Sequence, residues 1–147
     1  MKFILNILII LFIFPTIAED LIIDTRGYYT NDEIVMQNGN KLVQYQSKGN
    51  WSDNLNNYGK ARCKGSLLIK KSGKRTDNEL ILCELEDVKG EYIWFIPKRS
   101  DSEWEAGVGK ISIVSATKKY KKLIGKNCVY AVTYYKDTFH SKNKCQN

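Results

Sequence analysis

The chain has 147 residues, with 23 Lys plus Arg against 16 Asp plus Glu, a formal charge of +7, and 43% hydrophobic residues. That length supports one globular domain with its own core and excludes two independent ones. The basic balance favours acidic partners, but only four of the cations are Arg, which argues against nucleic acid, whose bases and phosphates are read by guanidinium forks.

The first eighteen residues, MKFILNILIILFIFPTIA, carry one Lys, an apolar run from Phe3 to Phe14 and a small residue at Ala18. This pattern predicts a signal peptide cut after Ala18, since the run is shorter than the roughly 20 apolar residues of a membrane-spanning helix. The folded protein is therefore expected to be secreted or periplasmic, with residues 19–147 forming a single domain.

Beyond the signal, strand patterns alternate with turn residues and no helical periodicity is sustained, which predicts an all-β domain. A first hairpin pairs Ile34–Met36 with Leu42–Tyr45 around Asn38-Gly39, a dipeptide suited to a two-residue type I′ turn. The Asn- and Ser-rich stretch from Gly49 to Gly59 reads as a polar loop. A strand over Lys60–Lys70, a charged turn (KSGKRTDN) and a return strand over Glu79–Glu86 follow, with Ile81, Cys83 and Leu85 on one face.

Asp87-Val88-Lys89-Gly90 turns the chain into Glu91–Ile96, which is apolar on both faces and is predicted to be covered on both sides until Pro97 ends it. Residues 98–105 read as a surface loop. Gly107-Val108-Gly109 opens an alternating strand through Ile111 and Ile113, and Ala116–Gly125 suits a helical turn or a bent strand equally. In the strand Cys128–Tyr135, Cys128, Tyr130, Val132 and Tyr134 share a face, and the sequence ends in a polar tail, TFHSKNK.

Four cysteines in an exported chain predict disulfides, and without a C-x2-C pair they do not read as a zinc site. Of the three possible pairings, local geometry favours Cys63 with Cys83 across the turn near Gly73, and Cys128 with Cys145 across the turn near Lys136-Asp137. Each bridge is worth about 3 kcal/mol in the chain-entropy model.

The cysteine strand Cys63-Lys64-Gly65, the turn at Gly73, the segment Cys83–Glu91, an aromatic strand, Gly107-Val108-Gly109-Lys110 and finally Lys119-Tyr120-Lys121-Lys122-Leu123-Ile124-Gly125 follow one another in a spaced order. That order resembles small exported bacterial domains of the allene oxide cyclase and dirigent-like barrel group, within the calycin-like superfamily. The resemblance covers about half of the chain that follows the signal peptide. Lys89 departs from it where an acidic residue is common, as do Ala116 and Lys122 where the group tends to have glycine. It implies a single antiparallel calycin-like barrel of about eight strands, whose closure leaves no exposed edge. No residue here matches a catalytic position of the plant cyclase, so that activity does not carry over.

The residue inventory is sparse in catalytic chemistry. The only histidine, His140, lies in the polar tail, which is poor ground for a triad. The acidic clusters Glu84-Glu86-Asp87-Glu91 and Asp101-Glu103-Glu105 read as solvated surface rather than as paired catalytic carboxylates or a Ca²⁺ cage. No cofactor and no metal are expected. Asn50-Trp51-Ser52 matches a glycosylation acceptor, relevant only in a eukaryotic secretory path.

Aromatic residues are the other constellation. A barrel of this size is filled by side chains or holds one small ligand, and Tyr45, Trp94, Tyr130 and Tyr134 are the candidate ligand wall. The expected function is non-catalytic binding of a small apolar or aromatic ligand. The first alternative is an envelope interaction module in which Lys118, Lys119, Lys121, Lys122 and Lys126 meet anionic lipid or polysaccharide. The second is an isomerase or cyclase that shapes a reactive intermediate inside the barrel.

Overall fold

The computed structural model describes residues 19–99 and 103–146, without the side chains of 77–79; the predicted signal peptide lies outside the described residues. Eight strands form one closed antiparallel barrel in sequential order. They are β1 (Leu21–Val35), β2 (Lys41–Asp53), β3 (Tyr58–Ile69), β4 (Arg75–Asp87), β5 (Tyr92–Lys98), β6 (Ala106–Ala116), β7 (Cys128–Tyr135) and β8 (Thr138–Cys145). The segment left open between helix and strand is a short 3-10 helix, Lys118–Leu123, whose Tyr120 and Leu123 are buried. Among the described residues no helix is long and apolar enough to cross a membrane.

Both expected disulfides form, each between residues directly opposite in the ladder: Cys63 with Cys83 and Cys128 with Cys145, at Cα separations of 4.0 and 4.1 Å. Such bridges persist where thiols are not kept reduced, so the pair points to a non-cytoplasmic protein.

Three expectations about local structure need correction. The Gly49–Gly59 stretch is not a loop: β2 continues to Asp53 and β3 starts at Tyr58. Its glycines mark close strand approach instead. A Cβ on Gly49 would lie 2.1 Å from the Arg26 carbonyl oxygen, and one on Gly59 would lie 1.9 Å from that of Glu86. Trp51, between them, is buried, and its indole Nε1 donates to the Glu86 carbonyl at 3.1 Å.

The tail TFHSKNK is strand β8, which pairs with β1 on one side and β7 on the other and so closes the barrel. Its inward Ser141 and Asn143 bond to each other at 3.0 Å, which allows a polar sequence to line an interior. The Asn38-Gly39 turn is not a two-residue loop. Gly39 donates to the Met36 carbonyl and Met36 donates to that of Asn40, which makes a three-residue loop with Gly39 at φ 83°. The same bonding recurs at Asp53–Asn57, Lys70–Lys74 and Asp87–Glu91, with Asn56, Gly73 and Gly90 in the left-handed position.

The lower end is locked by the β4–β5 turn against the 3-10 helix. Asp87 is buried and accepts from the backbone N–H of Lys89 and Glu91, the Tyr120 hydroxyl and, at 2.8 Å, the Lys119 ammonium. Burial works to raise its pKa, but these donors outweigh it and bring the carboxyl down to about 2. Beside it, Lys118 and the Thr117 hydroxyl hold Glu91 below the ordinary range.

Two outcomes follow. Gly49→Ala is expected to cost about 3 kcal/mol in urea unfolding, because the clash is with backbone that has no rotamer to escape into. Asp87 ionises more easily in the folded chain than in the unfolded one. The stability it supplies is therefore complete above about pH 4 and lost as pH falls towards 2, and an unfolding series at pH 2–7 on Asp87→Asn should show that acid limb flattened.

Candidate functional site

The pleat turns alternate residues of every strand towards the barrel axis. The lower interior is apolar and full: Leu85, Ile93, Leu123 and Trp51 are each 2% exposed or less, and Trp51 meets Tyr120 edge-on at 6.3 Å. Above this plug a cavity of about 60 Å³ remains. Phe95, Val132, Leu85 and the Cys63–Cys83 bridge supply its apolar wall, while Thr25, Ser47, Ser141 and Asn143 supply polar groups. The Thr25 hydroxyl is buried without a hydrogen-bond partner, which costs about 1–3 kcal/mol for such a group.

Aromatic rings cover the upper side of this cavity. Trp104 and Tyr134 stack at 5.2 Å, Tyr29 meets Tyr134 edge-on at 4.8 Å, and the Arg75 guanidinium lies 5.8 Å from the centre of the Trp104 ring. The Tyr134 hydroxyl points to that of Tyr45 at 3.4 Å. Burial, with the Tyr134 phenol beside it, pushes the Tyr45 phenol far above its ordinary value and keeps it protonated.

Of the four aromatic residues singled out in the sequence, Tyr45, Tyr130 and Tyr134 come together on the cavity wall. Trp94 does not. It sits on the outer face of β5, stacked on Tyr92 at 5.1 Å, with its indole N–H donating to Glu84 at 2.7 Å. The expectation that β5 is covered on both faces fails for the same reason: Ile93 and Phe95 are buried inside, while Tyr92 and Trp94 are half-buried on the outer surface.

Sequence reasoning missed Thr25 and Ser47. The signal was present in the period-two series Leu21, Ile23, Thr25, Gly27, Tyr29, which lies ahead of the first hairpin recognised. Arg99 and Trp104 also depart from the surface-loop expectation: Arg99 is buried and donates to the Trp104 carbonyl at 3.2 Å.

The lysines predicted to form a polyanion surface divide into two groups. Lys118 and Lys119 pair with Glu91 and Asp87 at 2.8 Å each, whereas Lys121, Lys122 and Lys126 are exposed. His140 is on strand β8, and its Nε2 lies 3.1 Å from Asp24. Glu84 is engaged by Arg62 and Trp94, and Asp101 lies outside the described residues. Among the described residues no three His, Cys, Asp or Glu side chains converge as metal ligands would.

No family model, no curated protein and no solved structure matches this chain. The barrel agrees with the fold that the sequence resemblance implies, but eight-strand closure alone does not single out the allene oxide cyclase-like group.

Thr25→Val keeps the shape of the side chain and removes the orphaned hydroxyl, so its unfolding free energy in urea is expected to rise by about 1 kcal/mol. A loss of that size would mean that the hydroxyl is satisfied in solution.

Proposed function

We propose that this protein is an exported, non-catalytic binding module that takes one small ligand, with an aromatic or apolar body and a single polar handle, at the mouth of its barrel. The observation that carries this reading is a buried hydroxyl, Thr25, left without a partner on the wall of a cavity that combines apolar side chains with a few polar groups. A fold that keeps such a group at a cost to its own stability has a use for it in another state. Ser47 and the neutral Tyr45 phenol stand on the same wall.

Size narrows the ligand. A cavity of about 150 Å³ holds benzene, so the 60 Å³ present here accepts an aromatic body only when the Trp104 and Tyr134 rings make way. Both are half-buried at the rim, and a ligand ring can replace their mutual stacking with its own.

The test is titration of the protein, exported by an oxidising host, with phenol, p-cresol and indole derivatives. The readouts are tryptophan fluorescence and native mass spectrometry. Saturable binding that weakens about tenfold in Thr25→Val, while that variant becomes more stable, supports the assignment. No binding by any member of the panel, or equal binding by Thr25→Val, overturns it. Chemical turnover of a bound ligand would replace the binding role with the isomerase or cyclase one.

A further inference from the structure

The barrel carries a second feature, which borders the cavity at Ala61, Tyr134 and Phe139 and extends away from it over the outer face. A groove of about 1010 Å³ crosses the strands on the outside, from His140 on β8 over Arg26, Lys48 and Lys60 to Glu86 and Tyr92. Its lining comes from β7, β8, β1, β2, β3, β4 and β5, so it follows the curve of the barrel wall. Gly27, Gly49 and Ala61 form its floor. All three occupy inward positions in register, Gly27 opposite Gly49 and Gly49 opposite Ala61. At Gly27 and Gly49 the two strands come so close that a Cβ on either would meet the other strand's backbone.

Two ladder rows run along this groove, all but Trp94 of their residues lining it. In one, Arg26, Asn50, Lys60, Glu86 and Tyr92 stand opposite one another on successive strands; in the next, Tyr28, Lys48, Arg62, Glu84 and Trp94 do. The carboxylates are already occupied. Glu84 accepts from Arg62 and Trp94 at 2.7 Å each, and Glu86 accepts from the Tyr92 hydroxyl at 3.0 Å. Arg26, Lys48 and Lys60, all exposed, form no ion pair among the described residues. Lys48 stands directly across the ladder from a second cation, Arg62, and Lys60 across from Glu86 without closing an ion pair, so this face keeps cationic charge that an anion from outside the chain can meet.

Aromatic groups frame the cations. The stacked Tyr92 and Trp94 rings stand at one end, 9° from parallel, and Tyr28 and Tyr135 at the other, 65% and 72% exposed. Cations without an ion pair along a groove of this volume, with aromatic faces at its ends, match a chain of sugar rings that bears negative charge. We propose that this groove binds an anionic polysaccharide. Arg26, Lys48 and Lys60 take its carboxylate or sulfate groups, and the Tyr28 and Tyr92 rings lie against its sugar faces. The mouth of the barrel is not needed for this interaction, and Lys48 and Lys60 do not line the cavity.

The experiment measures binding of polygalacturonate, dextran sulfate, uncharged dextran and an oligothymidylate to the intact exported protein across a salt series. The variants are Lys48→Glu/Lys60→Glu, Tyr92→Ala and the control Lys121→Glu/Lys126→Glu, which makes the same change in net charge elsewhere. The expected result is salt-sensitive binding of both anionic polysaccharides, weakened about tenfold or more by Lys48→Glu/Lys60→Glu and measurably by Tyr92→Ala, with the control unchanged. Equal loss in the control would reduce the effect to net charge and overturn the site. Tighter binding of the oligothymidylate, or no binding of either anionic polysaccharide, would overturn the ligand class. All four substituted positions in the charge variants are exposed, and an unchanged thermal midpoint confirms that folding is intact.

Discussion

Closure of the sheet is the constraint from which the rest of this structure follows. Strand β8 must pair with β1 and β7 together, from Leu21 opposite Cys145 to Tyr28 opposite Thr138 and from Cys128 opposite Cys145 to Tyr135 opposite Thr138. Closure satisfies backbone groups that an open sheet would present to other chains. It also fixes, for every strand, which alternate residues face the axis. A polar segment such as TFHSKNK becomes a strand because both its neighbours are already strands with unpaired edges, not because its own side chains favour one.

The same constraint divides the interior into unequal parts. The lower half is sealed by the 3-10 helix and by the Asp87 network, where one buried carboxylate gathers two backbone N–H groups, a phenol and an ammonium. A charge buried this deeply is tolerable only with such a full set of donors. The upper half is closed less tightly. Large rings meet over a cavity in which one hydroxyl has no partner, and two of those rings are half-buried at the rim. Rigid packing below and replaceable stacking above is an arrangement suited to a scaffold that presents one end.

The inner and outer faces of the sheet are linked through its small residues. Gly27 and Gly49 face inward where the two strands approach too closely for a Cβ, and both also line the outer groove. Among the outward residues of β1, β2 and β3 along that groove, Arg26, Lys48 and Lys60 form no ion pair among the described residues, whereas the Lys-rich segment at 118–126 spends two of its charges locking the 3-10 helix to the β4–β5 turn. Charge count alone points to residues 118–126, which hold five Lys with no acidic residue, while the groove cations are scattered along three strands. The difference lies in whether an ion pair closes: Lys118 and Lys119 reach carboxylates at 2.8 Å, whereas Lys60 stands opposite Glu86 in the ladder without closing one.

Several features were legible in the chain because their causes are local. Alternation in Cys128–Tyr135 placed Cys128, Tyr130, Val132 and Tyr134 on the inner face, and the position of Cys83 between Ile81 and Leu85 marked it as buried. Cysteines flanking hairpin turns gave both bridges, and recurring strands with turn residues gave the all-β class. Other features depended on partners distant in sequence. Gly49 and Gly59 look like loop residues until the carbonyls of Arg26 and Glu86 arrive beside them. Trp94 looks like a ligand-wall residue until the bulge in the β5–β6 pairing and the register with Glu84 show that it faces outward. The sequence by itself determined the class of fold, the covalent bridges and the inner face of its clearest strands, since these depend on residue spacing along one or two strands. The tertiary structure alone decided which aromatic rings meet, which hydroxyl is left without a partner and which cations stand unpaired, because each of these is set by register between strands that the chain order does not reveal.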